Sequence, residues 1–484
     1  MTHRPNRVLG LAGLVLVFAA ALSSRADADL WGHVRFGLDA LHAGRLTSVD
    51  PYSFTQDTPW INHEWLSEVQ MGAAYAAAGP TGLQCLKAII VSIVSVLIWN
   101  ALAGVRLAVR LLAFLLLFLG TIHMWATIRP QLWTLLCLAL TCRILTSNSP
   151  SLRWWLPPIF AFWANCHGGW VLGLGVLGVW AAASVAERPV AWRRWALVVV
   201  ASSMATLANP YGWRLWEFVV RTVRVARSIE EWQPLWRAPG LNWVPWCVAF
   251  AAVLWIVAAR RTDRWLPTAL ALAMLAYGAV RVQRIESLFV LSTVMLTAPW
   301  LAAQWPAAGW AQGRSMRARA MASLVAVACS GVLTGWFLWR SWGCIPVLGA
   351  WAPDPSAARL LERAEPGRLV TFFDWGEYAI WHVGPRLRVS MDGRRETVYS
   401  DARIAEHDAI VAGSSAGLAT LEAWRPEYVW LPARSVTTKR WLAAHGYRIE
   451  SDTDQSFLAS RVDLPSLRTA GVANAPPRPA CFPN

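Results

Sequence analysis

Residues 8–33 read VLGLAGLVLVFAAALSSRADADLWGH: an apolar run over 8–24, then two aspartates, then an indole, a glycine and a histidine. A run of roughly 17 to 22 apolar residues matches the helix length needed to cross about 30 Å of hydrocarbon. Such runs recur, and about eleven spans are expected, at 8–24, 82–103, 106–126, 130–147, 153–167, 168–186, 193–208, 241–259, 265–282, 286–303 and 320–340. The fifth is interrupted by Pro157-Pro158 and Asn165. Breaks of that kind are tolerated where other protein or water satisfies the freed backbone groups. The expected architecture is a polytopic, all-α membrane domain.

Composition agrees. Of 484 residues, 56% are hydrophobic and only 15% charged, where about 25% charged is usual for a soluble chain. The net charge of +15 sits in loops beside apolar runs rather than on a soluble basic face, so no nucleic-acid partner is expected. Membrane topology and attraction to anionic lipid account for it, which makes the bilayer the first partner. Starting from Arg4 and Arg7 in the cytoplasm, alternate loops carry Arg106 and Arg110, Arg143 and Arg153, Arg188, Arg193 and Arg194, Arg260, Arg261 and Arg264, then Arg314, Arg317 and Arg319. This charge bias predicts a cytoplasmic N-terminus and an extracytoplasmic, periplasmic C-terminal domain in a bacterial inner membrane. Ala26-Asp27-Ala28 also imitates a signal-peptide cleavage site; an uncleaved span is the expectation.

From about residue 346 the composition becomes mixed. Arg368–Phe373, Arg386–Met391 and Glu427–Leu431 read as strands with helical stretches between them. The expected domains are a membrane domain over 1–345 with a long first outer loop at 25–81, a small α/β domain over 346–463, and a Pro/Ala-rich, disordered tail over 464–484. Cys85, Cys137, Cys142, Cys247 and Cys329 fall in or beside apolar runs and read as small packing residues. Cys344 and Cys481 could pair outside the membrane.

The unusual polar clusters fall on the outer side. Leu30, Val34, Leu38 and Leu41 recur at helical spacing, with Trp31 beside them, and predict an amphipathic helix along the membrane surface. Asp27 and Asp29 precede it. A carboxylate there can act as general base or bind a divalent cation; the plainer reading is that Asp29 caps the helix. His33 lies one turn on. Asn62-His63-Glu64-Trp65 brings a second carboxylate and imidazole, or simply a capped helix with an interfacial tryptophan. The candidate catalytic residues are thus Asp29, Asp27 and Glu64, and the candidate ligands for Mg or Mn are Asp29, His33 and His63. Arg214, Arg281 and Arg284 could hold the phosphate of a lipid-linked substrate, or only contact headgroups and snorkel.

A first span, an outer loop opening with an acidic residue, two surface helices and further spans resemble the GT-C superfamily of polytopic glycosyltransferases. The resemblance makes Asp29 the catalytic or metal-binding group. Phe372-Phe373-Asp374-Trp375-Gly376, followed by Arg388 and Asp392-Gly393, is similar to the Trp-Trp-Asp-Tyr-Gly motif of oligosaccharyltransferase catalytic subunits, which helps to read an acceptor. Ser228-Ile229-Glu230-Glu231 is loosely similar to their short acidic motif. The similarity implies acceptor contacts by Phe373, Asp374, Trp375 and Glu230; without it, Asp374 reads as a helix cap. Two readings follow. One is a glycosyltransferase moving a hexosyl or pentosyl group from a polyprenyl-phosphate donor to a glycan, lipid or protein acceptor. The other is a non-catalytic membrane scaffold or transporter retaining that fold.

Overall fold

The computed structural model describes residues 4–224, 232–237, 240, 243–259, 264–307, 316–349, 351–467 and 481–484. Its helices begin with α1 (Arg4–Leu22), α2 (Leu30–Ala43), α3 (Trp65–Ala101), α4 (Leu107–Trp125), α5 (Gln131–Leu145), α6 (Leu156–Cys166) and α7 (Trp170–Glu187). Next come α8 (Trp192–Ala205), α9 (Trp213–Arg224), α10 (Val244–Ala259), α11 (Trp265–Arg281), α12 (Glu286–Gln304) and α13 (Met316–Ser341). The remainder are α14 (Pro355–Leu361), α15 (Gly376–Val383), α16 (Asp401–Ala412), α17 (Ser415–Trp424) and α18 (Val436–Ala444). The chain forms two compact units. One comprises Met1–Ser24 and Thr81–Gly343; the other comprises Arg25–Pro80 and Cys344–Asn484. The long loop after the first span therefore belongs with the C-terminal segment and not with the spans.

In the first unit a helix lies at every expected span. Among the described residues, five segments are long and apolar enough to cross a membrane: Trp65–Ala101, Leu107–Trp125, Trp170–Glu187, Gln283–Gln304 and Ser323–Ser341. Gly10–Leu22, Gln131–Leu145, Val244–Ala259 and Trp265–Arg281 are shorter apolar helices. The expected fifth span shrinks to the 11 residues of α6, about 16 Å at 1.5 Å per residue. Its prolines sit in the first turn, where a missing N–H is harmless. Helix α12 is buried along most of its length and packs on α4, α5, α10 and α11. Lys87 is fully buried; its ammonium donates to the carbonyls of Ser23 (2.7 Å) and Trp125 (3.0 Å), at the C-terminal ends of α1 and α4. A cation suits those carbonyls, which no helical N–H can reach. Cys247 and Cys329 are exposed, so the packing role expected of them does not hold; Cys137 and Cys142 are buried as that role requires.

Helix α3 breaks at Ala78 and Gly79, where Gly79 takes φ +56° immediately before Pro80. Glycine tolerates that left-handed conformation, and proline cannot donate to the helical ladder. The division between the units falls at this break. The helix starts at Trp65, and just ahead of it the Asn62 side-chain oxygen accepts from the Glu64 amide at 3.1 Å.

The second unit is built on a five-stranded sheet in the order β2-β1-β3-β5-β4, with β1 (Gly367–Thr371), β2 (Leu387–Val389), β3 (Tyr428–Pro432), β4 (Tyr447–Asp452) and β5 (Ser456–Arg461). Strands β2, β1 and β3 are parallel; β5 runs antiparallel to β3 and to β4. The central strand β3 is buried throughout, as its continuous apolar run requires. One core joins Val370, Ile410, Leu421, Val429, Leu431, Leu442 and Phe457 from strands and from α16, α17 and α18. The β4–β5 hairpin was not anticipated from sequence.

The first loop completes this sheet. Ser53 bridges in parallel to Val389 of β2: the Phe54 amide donates to Val389 O (3.1 Å), and the Val389 amide donates to Tyr52 O (2.9 Å). Next to this seam, the Arg394 guanidinium is clamped by two fully buried carboxylates. It donates to Asp50 at 2.7 and 2.9 Å and to Asp392 at 2.8 and 2.7 Å. Phe36, Tyr52 and Trp60 surround it with ring centroids 4.9–5.2 Å away. The apolar stripe of α2, expected along a membrane surface, meets protein: Leu30, Trp31 and Val34 are fully buried, while Leu41 is exposed. Trp31 packs against Trp351, Tyr378 and Phe482.

A Cys344–Cys481 disulfide ties down the end of the tail. Residues 481–484 are therefore ordered, contrary to the expected disorder over 464–484. Phe482 is buried, and the Trp31 indole donates to Pro483 O at 2.9 Å.

Candidate functional site

The site is organised around the first turn of α2. Asp29 occupies the helix N-cap position, but in a helical conformation (φ −88°, ψ −9°) and with no side-chain cap bond. The plain capping reading is thereby corrected. Asp27 supplies the local support, its Oδ1 accepting from the Asp29 amide at 3.2 Å.

The missing cap comes from elsewhere. Glu377, in the first turn of α15, is buried and accepts the Gly32 amide hydrogen through Oε2 at 3.1 Å. A Cβ on Gly32 would collide with that carboxyl group. A Cβ on Gly393 would lie 2.5 Å from Asp29 Oδ1 and 2.6 Å from Glu377 Oε1. Both carboxyl groups therefore lean on one Cα, and only glycine fits there. Burial drives the Glu377 carboxyl well above the usual carboxylate range. The negative charges of Asp29 and Asp392 add to this, and Arg394 opposes it.

His33 projects one turn beyond Asp29. Its Nδ1 lies 3.0 Å from Glu68 Oε1, and the Asn62 amide donates to the other Glu68 oxygen at 2.5 Å. Burial disfavours a charged His33 ring, yet the Glu68 bond and the charges of Glu64, Glu68 and Asp29 raise its pKa to about 9. At neutral pH it is an imidazolium within an acidic cage. Ligand atoms of His33, Glu64 and Glu68 all lie within 4.8 Å of one another. One imidazole nitrogen and two carboxylates form a donor set suited to a divalent cation. Among the described residues, Asp29 and His63 stand outside that group; His63 Nε2 is 3.6 Å from Glu64 Oε1. Glu68 was not singled out from sequence. Its signal was the four-residue step from Glu64, which puts both carboxylates on one helical face.

The tail motif is divided by its surroundings. Trp375 is buried, its indole donating to Trp351 O at 2.7 Å and packing on Trp430 at 4.9 Å. Phe373 and Asp374 are half-buried. Asp374 does not cap α15, whose N-cap position is Trp375 without a side-chain bond. Glu230 and Glu231 lie outside the described residues.

The predicted phosphate-binding arginines lie in the first unit. Arg214, on α9, and Arg281, at the end of α11, are exposed. Arg284 is half-buried and donates to Gln131 Oε1 at 2.7 Å, with His167 Nε2 at 3.3 Å. The His167 ring is held on its other side by Thr134 Oγ1 at 2.7 Å, which also receives the Trp163 indole hydrogen at 2.8 Å.

No family model matches this chain, and no curated protein matches it in sequence. Solved structures do resemble it. An oligosaccharyltransferase from Archaeoglobus fulgidus, tethered to an acceptor peptide containing an NVT sequon, superimposes with a TM-score of 0.55 at 10% identity, over 96% of this chain and 75% of its own. ArnT from Cupriavidus metallidurans, bound to undecaprenyl phosphate, gives 0.51 at 13% identity, over 96% and 98%. A mutant of the mycobacterial arabinofuranosyltransferase AftD gives 0.50 at 14% identity, over 95% of this chain but 42% of its own. Identity this low speaks for fold alone. With its long apolar helices, this multi-pass membrane protein has a GT-C-like fold.

Proposed function

We propose that the chain is an inverting glycosyltransferase. It takes a sugar from a polyprenyl-phosphate-linked donor and passes it to a hydroxyl-bearing acceptor at the extracytoplasmic face. The observation that carries this reading is the gathering of Asp29, Glu64, Glu68, Glu377 and His33 around the first turn of α2, in a chain whose fold is shared with ArnT bound to undecaprenyl phosphate. A lipid carrier fits the extracytoplasmic assignment, because nucleotide sugars do not cross to that side.

In this reading Asp29 accepts the proton of the acceptor hydroxyl as its oxygen bonds to the anomeric carbon. The bond from that carbon to the phosphate oxygen breaks on the opposite face, and the lipid phosphate leaves with the electron pair. Asp27 holds the Asp29 backbone in place. His33, Glu64 and Glu68 would hold a divalent cation, which supplies positive charge toward phosphate or hydroxyl oxygen. In the membrane unit, Arg284 oriented by Gln131, together with Arg281 and Arg214, is assigned to donor phosphate. Phe373 and Asp374 contact the acceptor, with Trp375 fixing their turn from within.

The test is turnover by the purified full chain in lipid nanodiscs, using a panel of polyprenyl-phosphate sugars with and without Mg2+ or Mn2+. Asp29→Asn should abolish transfer while leaving protein abundance unchanged. Full activity in that variant, or no turnover of any donor by the wild type, would overturn the reading.

A further inference from the structure

The first four N–H groups of any α-helix have no partner within the helix, and a side chain at the N-cap ordinarily serves one of them. In α2 that duty has moved. Asp29 holds the N-cap position without making the bond, and the Gly32 amide is served by Glu377, 345 positions away in sequence. Glu377 reaches it because Gly32 carries no side chain, and its second oxygen rests on Gly393 beside the Asp29 carboxylate. The loop bearing Gly393 is itself held by Asp392, which binds Arg394 and accepts the Tyr399 hydroxyl hydrogen at 2.7 Å.

We propose that Glu377 is a positioning residue: it caps α2 from the tail domain and thereby turns the Asp29 carboxylate away from the helix end, toward the Gly393 backbone. This deepens the glycosyltransferase reading and rests on it for its catalytic consequence, though not for its structural one. A glutamate placed only for stability would leave Asp29 capping its own helix, since aspartate is among the best N-cap residues. The arrangement found here leaves the capping to a residue in another element.

Two readouts test the proposal. In hydrogen-exchange mass spectrometry of the full chain in nanodiscs, Glu377→Ala should speed exchange in a peptide covering residues 28–36 by about tenfold, the scale of one lost hydrogen bond. Glu377→Gln keeps an acceptor oxygen for Gly32 and should leave that exchange within about threefold of wild type. In turnover of the polyprenyl-phosphate sugar that the wild type uses, Glu377→Ala should lower kcat by about 100-fold with donor KM little changed, as misplacement of a reacting group does. Glu377→Gln should recover most of that loss. Formation of the Cys344–Cys481 disulfide on a non-reducing gel checks that each variant has folded. Unchanged exchange near Gly32 in folded Glu377→Ala overturns the proposal whatever the activity. Equal loss of kcat in the Ala and Gln variants also overturns it, because charge and not position would then matter. An active Asp29→Asn variant sinks the glycosyltransferase reading but leaves the exchange result standing.

Discussion

Arg394→Met removes the one guanidinium shared by Asp50 and Asp392. Both carboxylates have no exposed side-chain surface, and Arg394 has 5%. Methionine fills a similar volume among Phe36, Tyr52 and Trp60, so the main loss is charge pairing and not packing. Breaking a buried pair by removing one partner costs about 3–5 kcal/mol, because it strands an uncompensated charge. Here two carboxylates are stranded, and the cation–π contacts are lost too, worth up to about 2 kcal/mol when desolvated. The lower figure already implies that the second unit melts about 6–12 °C earlier, at about 2–4 °C per kcal/mol for a domain of that size. The assay is heating of the detergent-solubilised full chain, with unfolding read as loss of protease resistance in residues 351–467. Adding Asp50→Asn and Asp392→Asn to Arg394→Met should restore much of the loss, since a neutral replacement of a buried ion group is often tolerated. A melting point for Arg394→Met within 2 °C of wild type, a difference near the limit of about 1 kcal/mol, would refute the clamp as a stabilising element.

Two further outcomes are expected. Among the described residues, buried His407 has no hydrogen-bond partner at either ring nitrogen, and burial lowers its pKa to about 4. The stability that its neutral form permits is fully present above pH 6.5 and is lost as pH falls toward 4, by up to about 3 kcal/mol. His407→Leu should flatten the acid limb of a melting-point-against-pH curve, and an unchanged limb would acquit this histidine. At the His33, Glu64 and Glu68 group, a cation must displace the proton that His33 holds up to about pH 9. Calorimetric titration with Mn2+ should therefore show affinity rising about tenfold per pH unit between 6.5 and 8.5, with one proton released. Glu68→Gln should abolish the binding, and affinity independent of pH would remove His33 from the ligand set.

What was legible in the sequence was whatever is local. Apolar run length marked a helix at each expected position, although α6 shows that a run can be long while its helix is short. Three stretches marked β1, β2 and β3: β3 is a continuous apolar run, as a fully buried strand is, whereas β2 alternates Leu387, the exposed Arg388 and Val389. Strand β4 carries charges at Arg448, Glu450 and Asp452, so it lacks the continuous apolar run that marks β3. The first-loop aspartate was visible as an acidic residue at the end of a span. Its geometry was not, since a residue three places from a helix amide reads as its cap unless a distant carboxylate takes the bond first. Nothing local separates Arg394 from its neighbour Arg395; only the return of Asp50 from far upstream makes it a buried ion. Trp375 was legible as an aromatic in a motif, but whether it faces an acceptor or Trp430 depends on the sheet beneath it.

The seam between residues 52–54 and β2 bears on how the molecule is born. Asp50 meets Arg394 across 344 positions, and translation at about 5–20 residues per second needs roughly 17–70 s to cover that distance. Throughout that interval the nascent loop carries Trp31, Phe36, Tyr52 and Trp60 with no sheet to receive them. Biogenesis of this domain is thus a waiting problem: an early segment has to stay unaggregated while nearly all the intervening helices are made and inserted, and only then can its partner strand arrive.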